Sequence, residues 1–251
     1  MKIAVSGKGG VGKTTFSAML IRTLSDMGKK VLAIDADPDA NLAAALGMPD
    51  ADRVVPIAEM KDMIFERTGA QPGTVGGFFR LNPQVDDLPD KYSVKMDNIK
   101  MMRLGSVKKG GGGCLCPEST LLKSLVMHIV LARDEVVVMD MEAGIEHLGR
   151  ATAKAVDRLI VVVEPGRRSI DTAAHIRRLA KEIHLERIAV VGNKIRTPKD
   201  EAFVREHLSD FDILGFLPYG DALIEADLNG QSPYDVASDA KTRIAEMIAK
   251  L

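Results

Sequence analysis

The sequence predicts a single α/β domain in which helices cover both faces of a mainly parallel central sheet. Short apolar runs rich in β-branched residues alternate with helical segments, and such strands are typical of parallel sheets that are buried on both faces. Six runs of this kind are present: Ile3–Val5, Val31–Ile34, Val136–Met139, Leu159–Val163, Ile188–Val191 and Ile213–Leu217. The length of 251 residues suits one large α/β domain or two small ones. Because only one stretch breaks the alternation, we predict one domain over residues 1–251.

Three helices can be placed from their end signals and apolar spacing. The first covers Lys13–Met27 and stops at Gly28, as helices commonly do at a C′ glycine. Another opens at Pro117, with proline in its first turn and the acidic Glu118 near the positive end of the helix dipole. The last covers about Ala237–Leu251 and carries an apolar stripe. Its polar face lacks a cationic excess, so docking against the sheet is favoured over anchoring on a membrane surface.

The stretch from about residue 49 to residue 113 interrupts the alternation of strands and helices. Gly, Pro and Met residues punctuate it, and the glycines Gly110–Gly113 end it. Long segments with weak periodicity are usually functional or mobile. We therefore interpret this stretch as an insertion on the sheet that leads to a pair of cysteines, and not as a second domain.

A glycine-rich loop follows the first predicted strand and precedes the first predicted helix. Residues Gly7–Thr15 read G-K-G-G-V-G-K-T-T and match the phosphate-binding loop G-x-x-x-x-G-K-S/T in its required strand–loop–helix setting. The glycines allow the backbone to turn its N–H groups towards an anion at the positive end of the helix. Lys13 would reach the β- and γ-phosphates of ATP, and the Thr14 hydroxyl would hold Mg²⁺. The sequence therefore predicts a P-loop NTPase.

The loop contains a second lysine, Lys8. A nucleotide that Lys13 already holds leaves no obvious task for Lys8 within the same chain. We therefore predict that Lys8 acts on a neighbouring subunit.

Two aspartates follow predicted strands at the edge where ligands bind in open parallel sheets. Asp37 lies in Asp35–Asp39 after the second strand and precedes a proline; we predict that it orients the attacking water, with an ordinary Asp- and Pro-rich turn as the alternative. Asp140 follows Val136–Met139, the Walker B pattern, and would support Mg²⁺ directly or through water. Gly144 would let the following backbone respond to the γ-phosphate.

Residues after two later strands are candidates for contacts with the adenine base. The amide of Asn193 can both donate and accept hydrogen bonds, which suits the edge of adenine. Pro218 and Tyr219 could pack against the adenine ring and form one wall of its pocket. The alternative for all three is a turn without a role in binding.

Cys114 and Cys116 are the two cysteines of the chain and lie two residues apart. In an extended segment their side chains project to the same side, so both thiolates could hold one soft metal ion. Two ligands do not complete a Zn²⁺ or Ni²⁺ site, whereas a two-fold dimer would supply four. The alternatives are a pair of ordinary thiols and a redox dithiol, although C-x-C differs from the redox motif C-x-x-C.

Composition excludes several functional classes. The formal net charge is −1 with charges of both signs interleaved, and the chain has 7 Phe, 3 Tyr and no Trp, so neither a basic stripe nor stacking platforms for nucleic acid are expected. No apolar run reaches the length of a membrane span, and the N-terminus starts directly on a strand, which leaves no room for a signal peptide. Two cysteines cannot form a disulfide framework, so a reducing cytoplasm is expected.

The glycine-rich loop resembles the deviant Walker A motif of the MinD/ParA/nitrogenase-iron-protein class of dimeric ATPases, in which the early lysine reaches the partner's nucleotide. Further segments resemble the CooC-type nickel-insertion ATPases, which mature carbon monoxide dehydrogenase and have relatives that serve acetyl-CoA synthase. These segments are Asp35–Asp39, Leu81–Pro83, Gly113–Glu118 and Asp140–Arg150. The resemblance extends from the first strand to about Tyr219, and the C-x-C and the run Glu142–His147 are its specific parts.

The resemblance implies a role for each matching residue. The residues that bind phosphate and Mg²⁺ are Gly9, Gly10, Val11, Gly12, Lys13, Thr14 and Thr15. Lys8 acts across the dimer, and Asp37 and Asp140 frame the water and the metal. Cys114 and Cys116 of both protomers form one Ni²⁺ or Zn²⁺ site at the homodimer axis. The implied function is an ATP-hydrolysing metallochaperone whose client is the apoenzyme of carbon monoxide dehydrogenase or acetyl-CoA synthase.

Two other classes share the loop. A positioning or partition ATPase would bind membrane or DNA, against which stand the C-x-C, the balanced charge and the last helix. An electron-transfer ATPase would hold a [4Fe–4S] cluster between protomers, and four thiolates would also satisfy such a cluster. A single adjacent cysteine pair favours one metal ion over the cluster.

Overall fold

The fold is built on one twisted sheet, seen in a computed structural model that describes residues 1–49, 51–70, 78–105, 116–142 and 155–251. Within these residues the sheet has eight strands in the order β3-β4-β2-β5-β1-β6-β7-β8. The strands are β1 Lys2–Ser6, β2 Val31–Ala36, β3 Val94–Met96, β4 Ile99–Arg103, β5 Val136–Met141, β6 Arg158–Val163, β7 Ile188–Ile195 and β8 Asp212–Pro218. Every neighbouring pair is parallel except β3 with β4.

Helices cover both faces of this sheet. In the described residues they are α1 Lys13–Asp26, α2 Leu42–Ala45, α3 Lys61–Thr68, α4 Leu88–Tyr92, α5 Pro117–Ala132, α6 Arg167–Glu182, α7 Pro198–His207, α8 Asp221–Leu228, α9 Pro233–Val236 and α10 Ser238–Ile248. Alternate residues of β1 face opposite cores: Ile3 and Val5 pack with α1, α2 and α10, and Ala4 packs with α5 and α6. The predicted fold class is therefore confirmed.

All six predicted strands are present, as β1, β2 and β5 to β8, but the sequence analysis missed β3 and β4. Both lie within residues 49–113, so part of the stretch that we interpreted as an insertion belongs to the sheet. The strands escaped detection because they are short and because Lys100 interrupts the apolar pattern of Ile99–Arg103. The Lys100 ammonium contacts Asp90 Oδ1 at 2.6 Å and Glu135 Oε1, just before the start of β5, at 2.8 Å.

The predicted helix ends agree with the structure to within a few residues. α1 ends at Asp26, and Gly28 has the left-handed φ of 76° that a C′ glycine supplies. α5 begins at Pro117, as predicted.

The last helix, α10, docks on the protein. Ile244 and Met247 are buried against α1 and β8. Gly215 of β8 makes room for Met247, because a Cβ atom at Gly215 would lie 2.7 Å from Met247 Cε. Among the described helices, none is both long enough and apolar enough to cross a membrane.

Candidate active site

The carboxyl ends of five neighbouring strands, β2, β5, β1, β6 and β7, bring several candidate site residues to one edge of the sheet. β1 leads into the glycine-rich loop, and β2 and β5 carry Asp35 and Asp140 at paired register positions. β6 leads to Glu164, and β7 carries Asn193 and Lys194. Ligands bind at this edge in open parallel sheets.

The glycine-rich loop has a backbone that side chains would obstruct. Gly7 has a φ of 150°, and a Cβ atom there would lie 2.4 Å from the carbonyl oxygen of Val162. Gly12 has a φ of 90°, and its Cβ would lie 2.4 Å from Asn193 Nδ2. Val11, between them, is fully buried in the core. The loop is thus anchored on β6 and β7 while its exposed residues Gly9 and Gly10 face outward.

The N-terminus of α1 offers its first N–H groups to an anion. Gly12 precedes the helix without a side-chain cap, and the first turn contains no acidic residue. Lys13 begins the helix with only 7% of its side chain exposed. Thr14 and Thr15 follow, both half-buried. This arrangement combines the helix dipole and one ammonium group at the place where phosphates would bind.

Asp37 lies opposite Lys13. Its Oδ2 is 3.8 Å from Lys13 Nζ, and its Oδ1 accepts a hydrogen bond from the Asp39 N–H at 3.0 Å. The Asp37 carboxylate is therefore held at the mouth of the site, next to the amine that would meet the terminal phosphates.

The Asp140 carboxylate is fully buried, and one of its two oxygens accepts no hydrogen bond from the described residues. Its Oδ1 accepts a hydrogen bond from Ser17 Oγ at 3.0 Å, and the Thr14 hydroxyl lies near enough to the carboxylate to influence its pKa. Oδ2 has no hydrogen-bond partner among the described residues. Burial raises the pKa of Asp140 to about 7, while the nearby Thr14 hydroxyl opposes this rise and the Asp35 carboxylate adds to it. A buried carboxylate with an unused oxygen beside a threonine hydroxyl fits Mg²⁺, since hard cations prefer oxygen ligands.

Asp35 ties the following loop together. Its Oδ1 accepts from the Asp37 N–H at 3.2 Å and its Oδ2 accepts from the Leu42 N–H at 3.0 Å. Burial raises the pKa of Asp35 to about 6, although these two backbone bonds oppose the rise. Asp35 therefore acts on the site through the position of Asp37.

Lys8 contacts a carboxylate of its own chain. Its Nζ lies 3.9 Å from Glu164 Oε1, and Lys194 Nζ lies 3.6 Å from the other oxygen, Glu164 Oε2. One carboxylate thus faces two lysines, each about one-third exposed or more.

The three residues predicted at the base are near one another in the sheet but differ in their contacts. Asn193 is buried and donates from Nδ2 to the Val11 carbonyl at 2.8 Å. Tyr219 donates its N–H to the Ile195 carbonyl at 2.8 Å, and its ring lies 4.0 Å from the guanidinium carbon of Arg196. Pro218 ends β8 and is half-buried. Contacts of these residues with adenine stay predictions.

Comparison with known proteins identifies the family. Residues 2–234 match the family described as the CobQ/CobB/MinD/ParA nucleotide binding domain. The carbon monoxide dehydrogenase accessory protein CooC of Rhodospirillum rubrum is 47% identical over 254 residues, which span 100% of this chain and 96% of that protein. The chain belongs to the CooC family of MinD/ParA-type ATPases. An uncharacterized ATP-binding protein of Methanocaldococcus jannaschii is 42% identical over 98% of this chain and 96% of its own length.

Solved structures agree with the CooC family at the level of the fold. A ParA family ATPase from Chlorobium tepidum superposes with a TM-score of 0.72 at 20% identity, covering 100% of this chain and 99% of that one. MinD in the MinC:MinD complex of Aquifex aeolicus gives a TM-score of 0.69 at 23% identity over 99% and 93% of the two chains. As a member of the CooC family, the chain binds ATP and hydrolyses it to ADP and phosphate, as predicted.

Of the two cysteines in the predicted metal motif of this CooC-family chain, Cys116 is among the residues that the structure describes. Cys116 directly precedes α5, and its Sγ accepts the Ser119 N–H at 3.4 Å, so the thiol caps the helix. Cys114 and Gly144 lie outside the described residues. Within the described ranges, no group of three or more His, Cys, Asp or Glu side chains is arranged to hold a metal ion.

Sequence reasoning overlooked or underweighted four residues at the CooC-family site. Glu164 and Asp35 each directly follow a predicted strand, Leu159–Val163 and Val31–Ile34, so these positions were a usable signal. Ser17 lies one helical turn after Thr14, a spacing that puts both hydroxyls on the same face of α1. Lys194 carries no such signal, because its position depends on an irregular backbone.

Proposed function

We propose that this ATPase is a homodimeric metallochaperone that inserts nickel into the apoenzyme of carbon monoxide dehydrogenase or of a related acetyl-CoA synthase. The observation that carries the proposal is the 47% identity, over the whole chain, to a protein named as a carbon monoxide dehydrogenase accessory protein. An identity of this size across 96% of that protein supports a shared role as well as a shared fold.

The cargo would be held by Cys114 and Cys116 of each protomer. Cys116 supports this assignment because its sulfur lies at the N-terminus of α5, where the helix dipole favours the thiolate that binds metal. Two thiolates leave a four-coordinate Ni²⁺ or Zn²⁺ site half complete. A second protomer would supply the other two ligands.

Hydrolysis would use the residues that converge at the sheet edge. Lys13 and the N-terminus of α1 bind the phosphates, Thr14 and Asp140 would hold Mg²⁺, and Asp37 orients the attacking water. Mg²⁺, when bound, neutralises charge on the β- and γ-phosphate oxygens. Lys8 would leave Glu164 and contact the nucleotide of the partner protomer.

Nucleotide would control the metal site through the dimer. If ATP binds the closed dimer more tightly than the separate protomers, it shifts the population towards the state in which four thiolates meet. Hydrolysis to ADP and phosphate removes that preference. The metal ion can then pass to the client apoenzyme.

The decisive experiment compares Ni²⁺ binding by the wild type and by the double variant Cys114→Ser, Cys116→Ser, each with ATP, with ADP and without nucleotide. Serine keeps a hydrogen-bond acceptor at the start of α5, so the fold and ATP binding should persist. We expect about one Ni²⁺ per dimer for the wild type with ATP, in keeping with one four-thiolate site, and loss of stoichiometric binding in the variant. Unchanged Ni²⁺ binding by the variant would contradict the proposal.

Three further measurements separate the proposed function from the other ATPase classes. Purified nickel-free carbon monoxide dehydrogenase should gain activity from the wild-type protein with Ni²⁺ and ATP, and not from the double variant. Broad visible absorption after anaerobic purification would instead indicate an iron–sulfur cluster. ATP-dependent sedimentation with liposomes or DNA would indicate a positioning or partition ATPase.

A further inference from the structure

Lys194 has a backbone conformation that is unusual for a residue with a side chain. Its φ is 58°, in the left-handed region, and the register of β7 against β8 shifts between Gly192 and Ile195. A non-glycine residue in this region costs free energy, and residues held there cluster at functional sites. The conformation therefore calls for a compensating contact.

The irregular backbone lets two consecutive side chains reach the same loop. In a regular strand, consecutive side chains point to opposite faces of the sheet. Here Asn193 Nδ2 donates to the Val11 carbonyl at 2.8 Å, and Lys194 Nζ donates to the Gly10 carbonyl at 2.6 Å. Two neighbouring donors of β7 thus hold two neighbouring carbonyl groups of the glycine-rich loop.

These contacts fix the orientation of two successive peptide planes. In a trans peptide the C=O and the following N–H point in opposite directions. Holding the carbonyl of Val11 towards β7 therefore turns the Gly12 N–H away from β7. Gly9 and Gly10 are exposed, and a Cβ atom added at either would meet no atom of the described residues within 4 Å, so no packing around them holds the loop in place. The loop therefore depends on contacts to its carbonyl groups for its shape.

The ammonium of Lys194 is held in place by charge. Glu164 Oε2 lies 3.6 Å from Lys194 Nζ, and the Glu164 backbone is fixed because its N–H donates to the buried Ser169 Oγ at 3.1 Å. Lys194 therefore lies between the Glu164 carboxylate and the Gly10 carbonyl. Its contact with Gly10 joins residues that are 184 positions apart in the sequence.

We propose that Lys194 is a positioning residue for ATP hydrolysis, which holds the glycine-rich loop in its phosphate-binding shape through the carbonyl of Gly10. Lys194 acts through the loop and does not itself need to touch the nucleotide. The inference rests on the ATPase activity of the family and is independent of metal delivery.

The test measures steady-state ATP hydrolysis by three variants at position 194. Lys194→Met keeps the length of the side chain but has no donor, and we expect its KM for ATP to rise about tenfold, which is the effect of losing one hydrogen bond from a charged donor. Its kcat should fall less, because ATP at saturation restores the shape of the loop. Lys194→Arg, which keeps a charged donor, should remain within about threefold of the wild type.

Lys194→Gly separates positioning from stability. Glycine relieves the left-handed backbone, so this variant should unfold at a urea concentration no lower than the wild type does, yet show the raised KM of Lys194→Met. The matched control is Lys199→Met, which removes the same charge from an exposed position on α7 and should leave KM unchanged. An unchanged KM in Lys194→Met, or an arginine variant as impaired as the methionine variant, would overturn the proposal. The proposal would also be overturned if the rise in KM across the variants at position 194 followed a fall in their urea unfolding midpoints.

Discussion

Lys8 Nζ lies 3.9 Å from Oε1 of Glu164 in the same chain. The lysine that we propose to act on the partner's nucleotide therefore already has a carboxylate partner before a dimer forms. When Lys8 turns to the nucleotide of the partner protomer, it exchanges its ionic contact with Glu164 for one with the phosphates. This relationship makes both residues informative targets for mutation.

Removing Lys8 should separate nucleotide binding from assembly. We expect Lys8→Ala to retain ATP binding within about threefold, because Lys13 and α1 still bind the phosphates, but to lose ATP-induced dimerisation and hydrolysis. Light scattering after size-exclusion chromatography and a phosphate-release assay measure the two effects. Lys199→Ala, which removes the same charge from an exposed position on α7, serves as the control. A monomeric Lys8→Ala protein with full activity would rule out the role across the dimer.

Neutralising Glu164 should make the dimer tighter. In Glu164→Gln the ion pair with Lys8 no longer has to break before dimerisation. Exposed ion pairs contribute about 0.2–1 kcal/mol each, and two Lys8–Glu164 pairs break when one dimer forms. We therefore expect the dimer dissociation constant at saturating ATP to fall about two- to thirtyfold. Saturating ATP removes any effect of the variant on nucleotide affinity. The exposed Glu206→Gln is the control, and a weaker Glu164→Gln dimer would contradict the exchange of contacts.

The buried carboxylate of Asp140 should make stability depend on pH in the absence of Mg²⁺ and nucleotide. Burial raises its pKa from 3.8 to about 7, so the folded protein keeps a proton that the unfolded chain loses between these values. The resulting stabilisation is fully present below pH 3.8 and disappears as the pH rises towards 7. Asp140→Asn, which stays neutral, should therefore exceed the wild type in free energy of unfolding at pH 8 by roughly 2–4 kcal/mol.

Urea unfolding at pH 5 and pH 8 measures this difference for Asp140→Asn. The gap between variant and wild type should shrink at pH 5, where the buried aspartate is protonated. Asp239→Asn, whose side chain is 81% exposed in the wild type, should show no comparable change with pH. Equal gaps at the two pH values would show that the pKa of Asp140 is not raised.

The cap at the start of α5 predicts different stabilities for two substitutions of Cys116. Cys116→Ser should be more stable than Cys116→Ala by about 1 kcal/mol, because a serine oxygen accepts the Ser119 N–H and alanine cannot. Both variants should lose Ni²⁺ binding. Urea unfolding and equilibrium dialysis measure the two properties. Equal stability of both variants would argue against capping, and retained Ni²⁺ binding in both would argue against Cys116 as a ligand.

The docked last helix gives a prediction that separates a core element from a membrane anchor. Ile244 is fully buried, so Ile244→Ala should lower the free energy of unfolding by about 2–4 kcal/mol. The exposed Glu246→Ala on the same helix should change it by less than about 0.5 kcal/mol. If the helix were instead a membrane-surface anchor, Ile244→Ala would change the free energy of unfolding little and would weaken sedimentation of the protein with anionic liposomes.

Local sequence was sufficient for the parts of the structure that depend on local pattern. Continuous β-branched runs gave the six buried strands, and the fixed spacing from Gly7 to Thr15 gave the glycine-rich loop. The strands β3 and β4 were missed because Lys100 and neighbouring methionines resemble neither a buried strand nor a strict alternation.

Contacts between distant residues could not be read from the sequence. The bond from Lys194 to Gly10 depends on a left-handed residue in a strand, which no propensity favours for lysine. The contact of Lys8 with Glu164 depends on the placement of β6 next to β1, which follows from the order of strands and not from either residue.

The path of the chain through α5 and β5 has a consequence for access to the protein. α5 starts with the cap at Cys116 and runs along one face of the sheet. After three residues β5 follows in the opposite direction and carries Asp140 near its carboxyl end, at the edge of the sheet where the glycine-rich loop lies. A helix and a strand that run in opposite directions start and finish at the same edge. The thiol and the phosphate-binding loop are therefore presented on one side of the molecule, so that a single docking partner could meet both at once.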